Sequence, residues 1–344
     1  MSIRVLIVDD SATARAVIKE ILDQAPGIEV VGVAPDAYVA RDKIVELRPD
    51  VVCLDVEMPR MDGVSFLKKL MVYMPTPVVM VSSLTRQGAQ VTLDALEAGA
   101  VDYVAKPHSN IYDGADEIKQ QLVEKVRMAA KAKVRKKTIE EVKKVAYTPL
   151  AETTQKVIAI GASTGGTEAL KDVLVRMPRN SPGIIIVQHM PGTFTKQFAQ
   201  RLDSLCEMSV KEAENGDHVG IGQVLIAPGN YHMVLRRSGA RYYVEIGDGR
   251  NVSGHKPSVD VLFNSVAKVA GKNAIGAILT GMGADGAKGM LNMHEQGAIT
   301  IAQDEKSCVV FGMPKVAIEK GGVDFIVPLD DIAKKIIEQV QKIQ

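Results

Sequence analysis

Tryptophan is absent from this chain, and aromatic residues make up only 4% of its 344 residues. Cysteine is almost as scarce. Cys53, Cys206 and Cys308 lie far apart in apolar or mixed surroundings, unlike the short spacings of a zinc site or a disulfide framework. We therefore expect buried or incidental thiols, and we do not expect a cysteine nucleophile.

The chain also lacks a long hydrophobic run and an excess of charge of one sign. No apolar stretch approaches the roughly 20 residues of a membrane helix. The N-terminal run Met1–Val8 leads directly into acidic residues and not into a signal-peptide cleavage site. A net charge of +1 gives no bulk attraction for a polyanion. We expect a cytoplasmic protein that neither inserts into membranes nor binds nucleic acid.

Apolar residues make up 46% of the chain and charged residues 24%, which is ordinary for a globular protein with room for about two domains. The N-terminal part alternates short apolar runs with helical patterns, an order typical of a parallel, doubly wound α/β sheet. Its five predicted strands are Ile3–Val8, Glu29–Val33, Val51–Leu54, Val78–Val81 and Asp102–Val104.

Polar side chains follow four of these strands at the edge where a parallel sheet binds ligands. They are Asp9, Asp10, Asp55, Ser82 and Lys106. Three clustered carboxylates repel one another unless they hold a hard cation such as Mg²⁺. Taken singly, each residue is also explained as a loop-capping acid or a surface lysine. Together they favour phosphoryl chemistry, with Asp55 as the attacking group and Lys106 and Mg²⁺ neutralising the transferred phosphoryl group.

Five segments of this part carry a resemblance to a known family: Val8-Asp9-Asp10-Ser11, Leu54-Asp55-Val56-Glu57-Met58-Pro59, Met61-Asp62-Gly63, Ser82-Ser83 and Ala105-Lys106-Pro107. They resemble the receiver domain of two-component response regulators. The resemblance implies that Asp9, Asp10 and Asp55 hold Mg²⁺ and that Asp55 is the phosphorylated residue. It also implies that Ser82 and Lys106 sense the phosphoryl group.

A change of composition separates the two halves of the chain. Lys125–Lys144 is crowded with basic residues, and Tyr147–Thr154 lacks periodic apolar positions, which is typical of a helix end followed by a flexible linker. We predict a receiver domain over residues 1–125, a linker over 126–154 and a second domain over 155–344. A DNA-binding regulator stays open as an alternative, although no recognition helix follows the basic run.

The second domain again alternates strands and helices. Its predicted strands are Val157–Ile160, Ile184–Val187, Val224–Ile226, Tyr242–Ile246, Ala274–Leu279, Ala298–Ile301 and Phe325–Val327. This order predicts a larger, doubly wound and mostly parallel α/β sheet. We expect it to be mixed, because Val224–Ile226 and Arg241–Ile246 look like neighbours in a hairpin.

The segment Gly161-Ala162-Ser163-Thr164-Gly165 has the G-x-S-x-G pattern of an exposed nucleophile on a strand-to-helix turn. The glycines permit the tight turn, and the helix N–H groups that follow are suited to stabilising an oxyanion. The alternative is a glycine-rich loop that binds a nucleotide. That loop lacks a Walker lysine and a suitable acid about 20 residues further on.

A serine nucleophile needs a base and an acid that orients the base. His189 and Asp285 each follow a predicted strand, as Ser163 does, so the three meet at one sheet edge. The rival order combines Asp260 or Asp285 with His294. His294 lies in a helical pattern away from the strand ends, so the geometry favours Ser163, His189 and Asp285.

Six segments extend the resemblance over the second domain: Gly161–Gly166, Gln188-His189-Met190-Pro191, Ala227–Met233, Pro257–Phe263, Leu279–Gly286 and Ala302-Gln303-Asp304-Glu305. They resemble the chemotaxis methylesterase family, which comprises the CheB-type protein-glutamate methylesterases and glutaminases. The resemblance implies a hydrolase with a catalytic triad of Ser163, His189 and Asp285 and an oxyanion contact from the backbone at Met282. Lys256 stands where the family pattern leads us to expect arginine.

The same resemblance implies a phosphorylation-regulated enzyme of chemotaxis adaptation. Its substrates would be methylated glutamates on the cytosolic helices of chemoreceptors, and receptor glutamine would be deamidated as well. A histidine kinase of the chemotaxis type would be the second partner. The esterase reaction would need no cofactor. We expect Thr164 and His255 to lie beside the substrate, with His232 also near the mouth of the site.

Overall fold

The structure is a computed structural model that describes residues 2–82, 86–106, 115–134 and 156–342. The chain divides into two compact units, Met1–Ile139 and Glu140–Gln344. Most of the predicted linker, and the motif residues Ser83 and Pro107, lie outside the described residues. The domain bounds at 125 and 155 therefore stay predictions.

The first unit is a five-stranded parallel sheet with the strand order β2-β1-β3-β4-β5. The strands are β1 Ile3–Val8, β2 Ile28–Ala34, β3 Val51–Asp55, β4 Val78–Ser82 and β5 Asp102–Ala105. The helices are α1 Ala12–Asp23, α2 Ala37–Leu47, α3 Gly63–Tyr73, α4 Arg86–Ala98 and α5 Ala115–Ala129. Strands β3 and β4 are buried at every position, as continuous apolar runs require in a sheet covered on both faces. The predicted fold class of this unit is confirmed.

The second unit contains a seven-stranded sheet in the order β14-β13-β12-β6-β7-β9-β8 and a separate hairpin of β10 and β11. The strands are β6 Val157–Ala162, β7 Gly183–Gln188, β8 Ser209–Glu212, β9 Gln223–Ile226, β10 His232–Ser238, β11 Arg241–Gly247, β12 Ala274–Ile278, β13 Ile299–Gln303 and β14 Phe325–Val327. The helices are α6 Gly166–Leu174, α7 Gly192–Leu205, α8 Val259–Val269, α9 Ala287–Glu295, α10 Met313–Glu319 and α11 Leu329–Lys342.

The expectation of a mixed sheet is wrong in its detail. All seven strands of the main sheet are parallel, and β9 pairs with β7 and β8 instead of β11. Strand β11 pairs antiparallel with β10, outside that sheet. Alternate residues of the hairpin, Met233, Leu235, Tyr242 and Val244, are buried in the core beside α8. The hairpin is therefore held by one apolar face. The sequence prediction missed β8 and β10 because the first is short and partly exposed and the second ends in charged residues.

In the main sheet, the neighbouring strands β6 and β12 lie at a topological switch point. The chain enters at β6, continues through β7 towards β8 and β9, and then returns to β12 on the other side of β6. Crevices at the carboxyl ends of such strands are where open α/β sheets bind ligands. The loops after β6, β7 and β12 therefore meet at the favoured position for a site.

No helix among the described residues combines the length and the apolar character needed to cross a bilayer.

Candidate active site

Ser163 lies on a sharp turn directly after β6. Its N–H donates to the carbonyl of Thr280 over 3.0 Å, and its own carbonyl accepts from the N–H of Gly166 over 2.7 Å. Gly165 has a left-handed φ of 75° and precedes the first residue of α6. The strand, turn and helix predicted from the glycine pattern are thus present. Ser163 remains partly exposed.

His189 follows β7, the strand beside β6, and its N–H donates to the carbonyl of Ala162 over 3.2 Å. Its Nδ1 lies 3.1 Å from Oγ of Ser163, and its Nε2 lies 2.8 Å from Oδ2 of Asp285. A carboxylate only accepts hydrogen bonds, so the ring proton belongs on Nε2. Nδ1 is then the free acceptor for the Ser163 hydroxyl proton.

Asp285 is buried at the N-terminus of α8, where it accepts several hydrogen bonds. Oδ1 accepts from Oγ of Ser258 at 2.8 Å and from N–H of Asp260 at 3.1 Å, while Oδ2 accepts from N–H of Val259 at 2.7 Å. Burial alone would raise the pKa of Asp285, but the hydrogen bond and charge of His189 and these N–H groups lower it below the usual value. The carboxylate is therefore ionised beside the imidazole.

The rival residues are placed elsewhere. Nδ1 of His294 lies 3.1 Å from a carboxylate oxygen of Asp324, and the His294 side chain on α9 is 42% exposed. Asp260 accepts the N–H of Gly289 at 2.7 Å, and burial raises the pKa of its carboxyl. Among the described residues, the His294 ring and the Asp260 carboxylate form no hydrogen bond with Ser163 or His189, and Asp260 contributes only its N–H to Asp285.

His255 stacks on the catalytic candidate His189, with ring centroids 3.7 Å apart and ring planes inclined by 14°. A tight turn of the main chain positions His255. Val252 and His255 exchange two backbone hydrogen bonds of 3.0 Å, and the residues between them, Ser253 and Gly254, both have positive φ. The structure thus places His255 against the imidazole of His189, and its position beside the substrate stays a prediction.

The two other predicted neighbours lie on the rim formed by the loops after β6 and β12. Thr164 is buried, and its carbonyl accepts from Oγ1 of Thr280 over 3.0 Å. A Cβ atom on Gly281 would lie 2.7 Å from Cβ of Ser163, so the segment that leads to Met282 passes against the serine. The Met282 side chain is substantially exposed.

His232 and Lys256 form hydrogen bonds with main-chain groups of the loop that contains His255 and leads to α8. Nδ1 of His232 accepts the N–H of Ser258 at 3.3 Å, and Nε2 donates to the carbonyl of Arg250 at 2.9 Å. Nζ of Lys256 donates to Oδ1 of Asp248 at 2.7 Å and to the carbonyl of Gly249 at 3.2 Å. Both residues thus fasten the loop between β11 and α8.

The predicted phosphoryl residues also converge. Carboxylate oxygens of Asp9, Asp10 and Asp55 lie within 4.8 Å of one another. Nζ of Lys106 lies 2.6 Å from Oδ2 of Asp55 and 3.1 Å from Oδ2 of Asp9. Ser82 is buried at the end of β4, and its Oγ accepts from Oγ1 of Thr92 at 2.9 Å.

The donor set of this cluster fits a hard divalent cation. Burial raises the pKa of Asp55 to about 6 and the charge of Asp9 adds to the rise, while the hydrogen bond from Lys106 opposes it. Oδ2 of Asp9 is buried and accepts no hydrogen bond from a described residue; the Lys106 ammonium is its counter-charge. A Mg²⁺ ion prefers such oxygen ligands and would offset the repulsion between the carboxylates.

Each of the two units matches the profile of a known protein family. The profile of the CheB methylesterase family matches residues 158–336, and that of the response regulator receiver domain matches residues 5–112. The chain belongs to the CheB methylesterase family. Its catalytic candidates Ser163, His189 and Asp285 all lie inside the matched segment.

Two curated relatives resemble the chain over almost its whole length. A protein-glutamate methylesterase/protein-glutamine glutaminase of Sulfurimonas denitrificans is 64% identical over 98% of both chains. A protein of the same name, numbered 2, from Syntrophus aciditrophicus is 60% identical over 98% of this chain and 99% of its own. The solved CheB methylesterase catalytic domain of Thermotoga maritima covers 54% of this chain and 98% of its own, with a TM-score of 0.53 and 42% identity.

Three residues that support the triad were not predicted from the sequence: Ser258, Thr280 and Gln188. Ser258 caps α8 and donates to Asp285. Its signal was present, because serine before an apolar helical pattern is a common N-cap. The contacts of Thr280 and Gln188 are hydrogen bonds that involve main-chain carbonyls. Every residue has such a carbonyl, so these contacts cannot be recognised from residue types in the sequence.

Proposed function

We propose that the second unit hydrolyses γ-methyl esters of glutamate side chains on the cytosolic helices of chemoreceptors. This proposal is based on the position of the His189 ring, which lies between the hydroxyl of Ser163 and the carboxylate of Asp285. The names of the whole-length relatives give the reaction class and the type of substrate.

The first half of the reaction acylates Ser163. Nδ1 of His189 takes the hydroxyl proton as Oγ attacks the ester carbonyl, and a tetrahedral intermediate forms. The carboxylate of Asp285 stabilises the imidazolium and holds its orientation. Collapse of the intermediate breaks the bond to the methoxy group, and His189 returns the proton so that methanol leaves. The glutamate carbonyl is then an ester of Ser163.

The second half regenerates the enzyme. His189 takes a proton from water, whose oxygen attacks the acyl carbonyl, and the proton passes to Oγ of Ser163 when the acyl bond breaks. The products are a glutamate γ-carboxylate, still part of the receptor chain, and the original hydroxyl of Ser163. Negative charge develops on the carbonyl oxygen in both halves, and we assign its stabilisation to the backbone at Met282 and the rim that includes Thr164.

The same groups would deamidate receptor glutamine. A glutamine side chain has the same carbonyl position, and its leaving group is ammonia instead of methanol. The names of the whole-length relatives include glutaminase, which supports this second activity. Protonation of the leaving nitrogen by His189 is then the demanding step.

The first unit is proposed to regulate this hydrolase through phosphorylation of Asp55 by a histidine kinase of the chemotaxis type. Asp9, Asp10 and Asp55 would hold Mg²⁺, which when bound supplies positive charge to the phosphoryl oxygens. Lys106, which already forms an ion pair with Asp55, would then bind the new phosphoryl oxygens. The hydroxyl of Ser82 would donate a hydrogen bond to one of them. The cytoplasm is the proposed location, because receptor helices and kinase are reached there.

Release of methanol from methyl-labelled receptor membranes tests the function directly. We expect release with the intact chain and an increase when a small-molecule phosphodonor and Mg²⁺ are added. The absence of release from methylated receptors under both conditions would reject the proposed substrate.

A further inference from the structure

One buried amide joins the main chain of the nucleophile to that of the base. Gln188 is the last residue of β7 and is only 4% exposed. Its Nε2 donates to the carbonyl of Ser163 at 2.9 Å and to the carbonyl of His189 at 3.2 Å. Both hydrogens of the amide are thus used, one on each catalytic candidate.

This contact lies where the sheet no longer connects the two residues. Strands β6 and β7 are paired up to Ala162 and Gln188, and the N–H of His189 bonds the carbonyl of Ala162. Beyond that bond the two chains separate into different loops. The Gln188 side chain supplies the next connection, directly behind Ser163.

The orientation of the amide follows from its surroundings. Exchanging its oxygen and nitrogen would bring Oε1 against two carbonyl oxygens, which is repulsive, so Nε2 must face them. Oε1 is then buried without a hydrogen-bond partner among the described residues. An unsatisfied buried oxygen disfavours folding. Residues that are unfavourable for folding stability in this way are expected at functional sites.

The first residue of α6 makes room for this arrangement. A Cβ atom on Gly166 would lie 2.1 Å from Oε1 of Gln188, so a larger residue there would force the amide out of this position. The G-x-S-x-G-G turn therefore accommodates the amide as well as the serine. Glycine at this position and glutamine at 188 are sterically complementary.

We propose that Gln188 is a positioning residue that sets the separation of Oγ of Ser163 and Nδ1 of His189. The proposal rests on the hydrolase function proposed above. A misplacement of reacting groups by about 1 Å is enough to cost on the order of 10²-fold in rate. Loss of the amide should therefore lower kcat while KM, which depends on receptor contacts elsewhere, changes little.

The test uses Gln188→Met, which preserves side-chain length but removes both donors, and Gln188→Glu, which preserves shape. The matched control is Gln339→Met. Gln339 is 3% exposed on α11, and its Nε2 has no hydrogen-bond partner among the described residues. All variants are made in the full chain. Methanol release gives kcat and KM, a serine-directed fluorophosphonate gives the rate of Ser163 modification, and thermal melting reports the fold.

We expect both Gln188 variants to lose on the order of 10²-fold in kcat and in fluorophosphonate rate, with KM within about twofold of the parent. Gln339→Met should keep both rates within about twofold. Parental rates in a folded Gln188 variant would overturn the positioning role, as would failure of both Gln188 variants to fold. If the parent chain itself does not react with fluorophosphonate at Ser163, the hydrolase function fails instead, so the two failures are distinguishable.

Discussion

Asp285 holds His189 through Nε2, at 2.8 Å, so that the nitrogen facing Ser163 is Nδ1. Both ring nitrogens are thereby committed, one to orientation and one to proton transfer. The carboxylate that does the orienting is fixed in turn by the first N–H groups of α8. A helix N-terminus thus lies behind the triad, and its positive end keeps Asp285 charged.

The base is tested by comparing two histidines of the same unit. His189→Ala should lower methanol release by on the order of 10⁴-fold, because triad members act as one unit. His294→Ala is the matched control, since His294 also pairs with an aspartate but lies away from Ser163. It should retain nearly the parental rate. Equal losses in the two variants would refute the assignment of the base.

The stack of His255 on His189 is tested by changing the ring and then removing it. His255→Phe keeps an aromatic face and should retain most of the activity. His255→Ala removes the contact and should lower kcat about two- to tenfold, the range that corresponds to the strength of an aromatic pair. Steady-state kinetics on methylated receptors measure both. If the phenylalanine variant is as slow as the alanine variant, stacking is not the role of His255.

The lowered pKa of Asp285 gives a pH dependence of stability. A carboxyl whose folded pKa lies below its unfolded value stabilises the fold at pH above that unfolded value and loses the effect as pH falls through the folded pKa. Asp285→Asn should therefore lower the free energy of unfolding at neutral pH, by about 1.5–3 kcal/mol for the lost charge-assisted bonds. Urea titrations should find this difference shrinking below about pH 4. A difference that grows on acidification would contradict the direction of the shift.

Phosphorylation is tested at Asp55. Incubation with a small-molecule phosphodonor and Mg²⁺ should give one acyl phosphate that is labile in acid and in base, and Asp55→Asn should abolish it. Chelation of Mg²⁺ should do the same. Asp42→Asn is the control, because Asp42 is an exposed acid paired with Arg41 on the surface of α2. Undiminished label on Asp55→Asn would move the acceptor to another residue.

Much of the fold was predictable because the strands are apolar runs with polar residues at their carboxyl ends. Asp9, Asp55, Ser163 and His189 could be located by that rule alone. The hairpin of β10 and β11 could not, because its pairing depends on which face is buried against α8. Gln188 was also out of reach, since its contacts are with main-chain carbonyls brought together only by folding.

We propose Ser163 as the nucleophile of a receptor methylesterase. The most direct measurement is methanol release from methyl-labelled receptor membranes by the parent chain and by Ser163→Ala at equal folded concentration. We expect a loss of on the order of 10⁴-fold or more with an unchanged melting temperature. Retention of more than about a tenth of the parental rate by Ser163→Ala would contradict it.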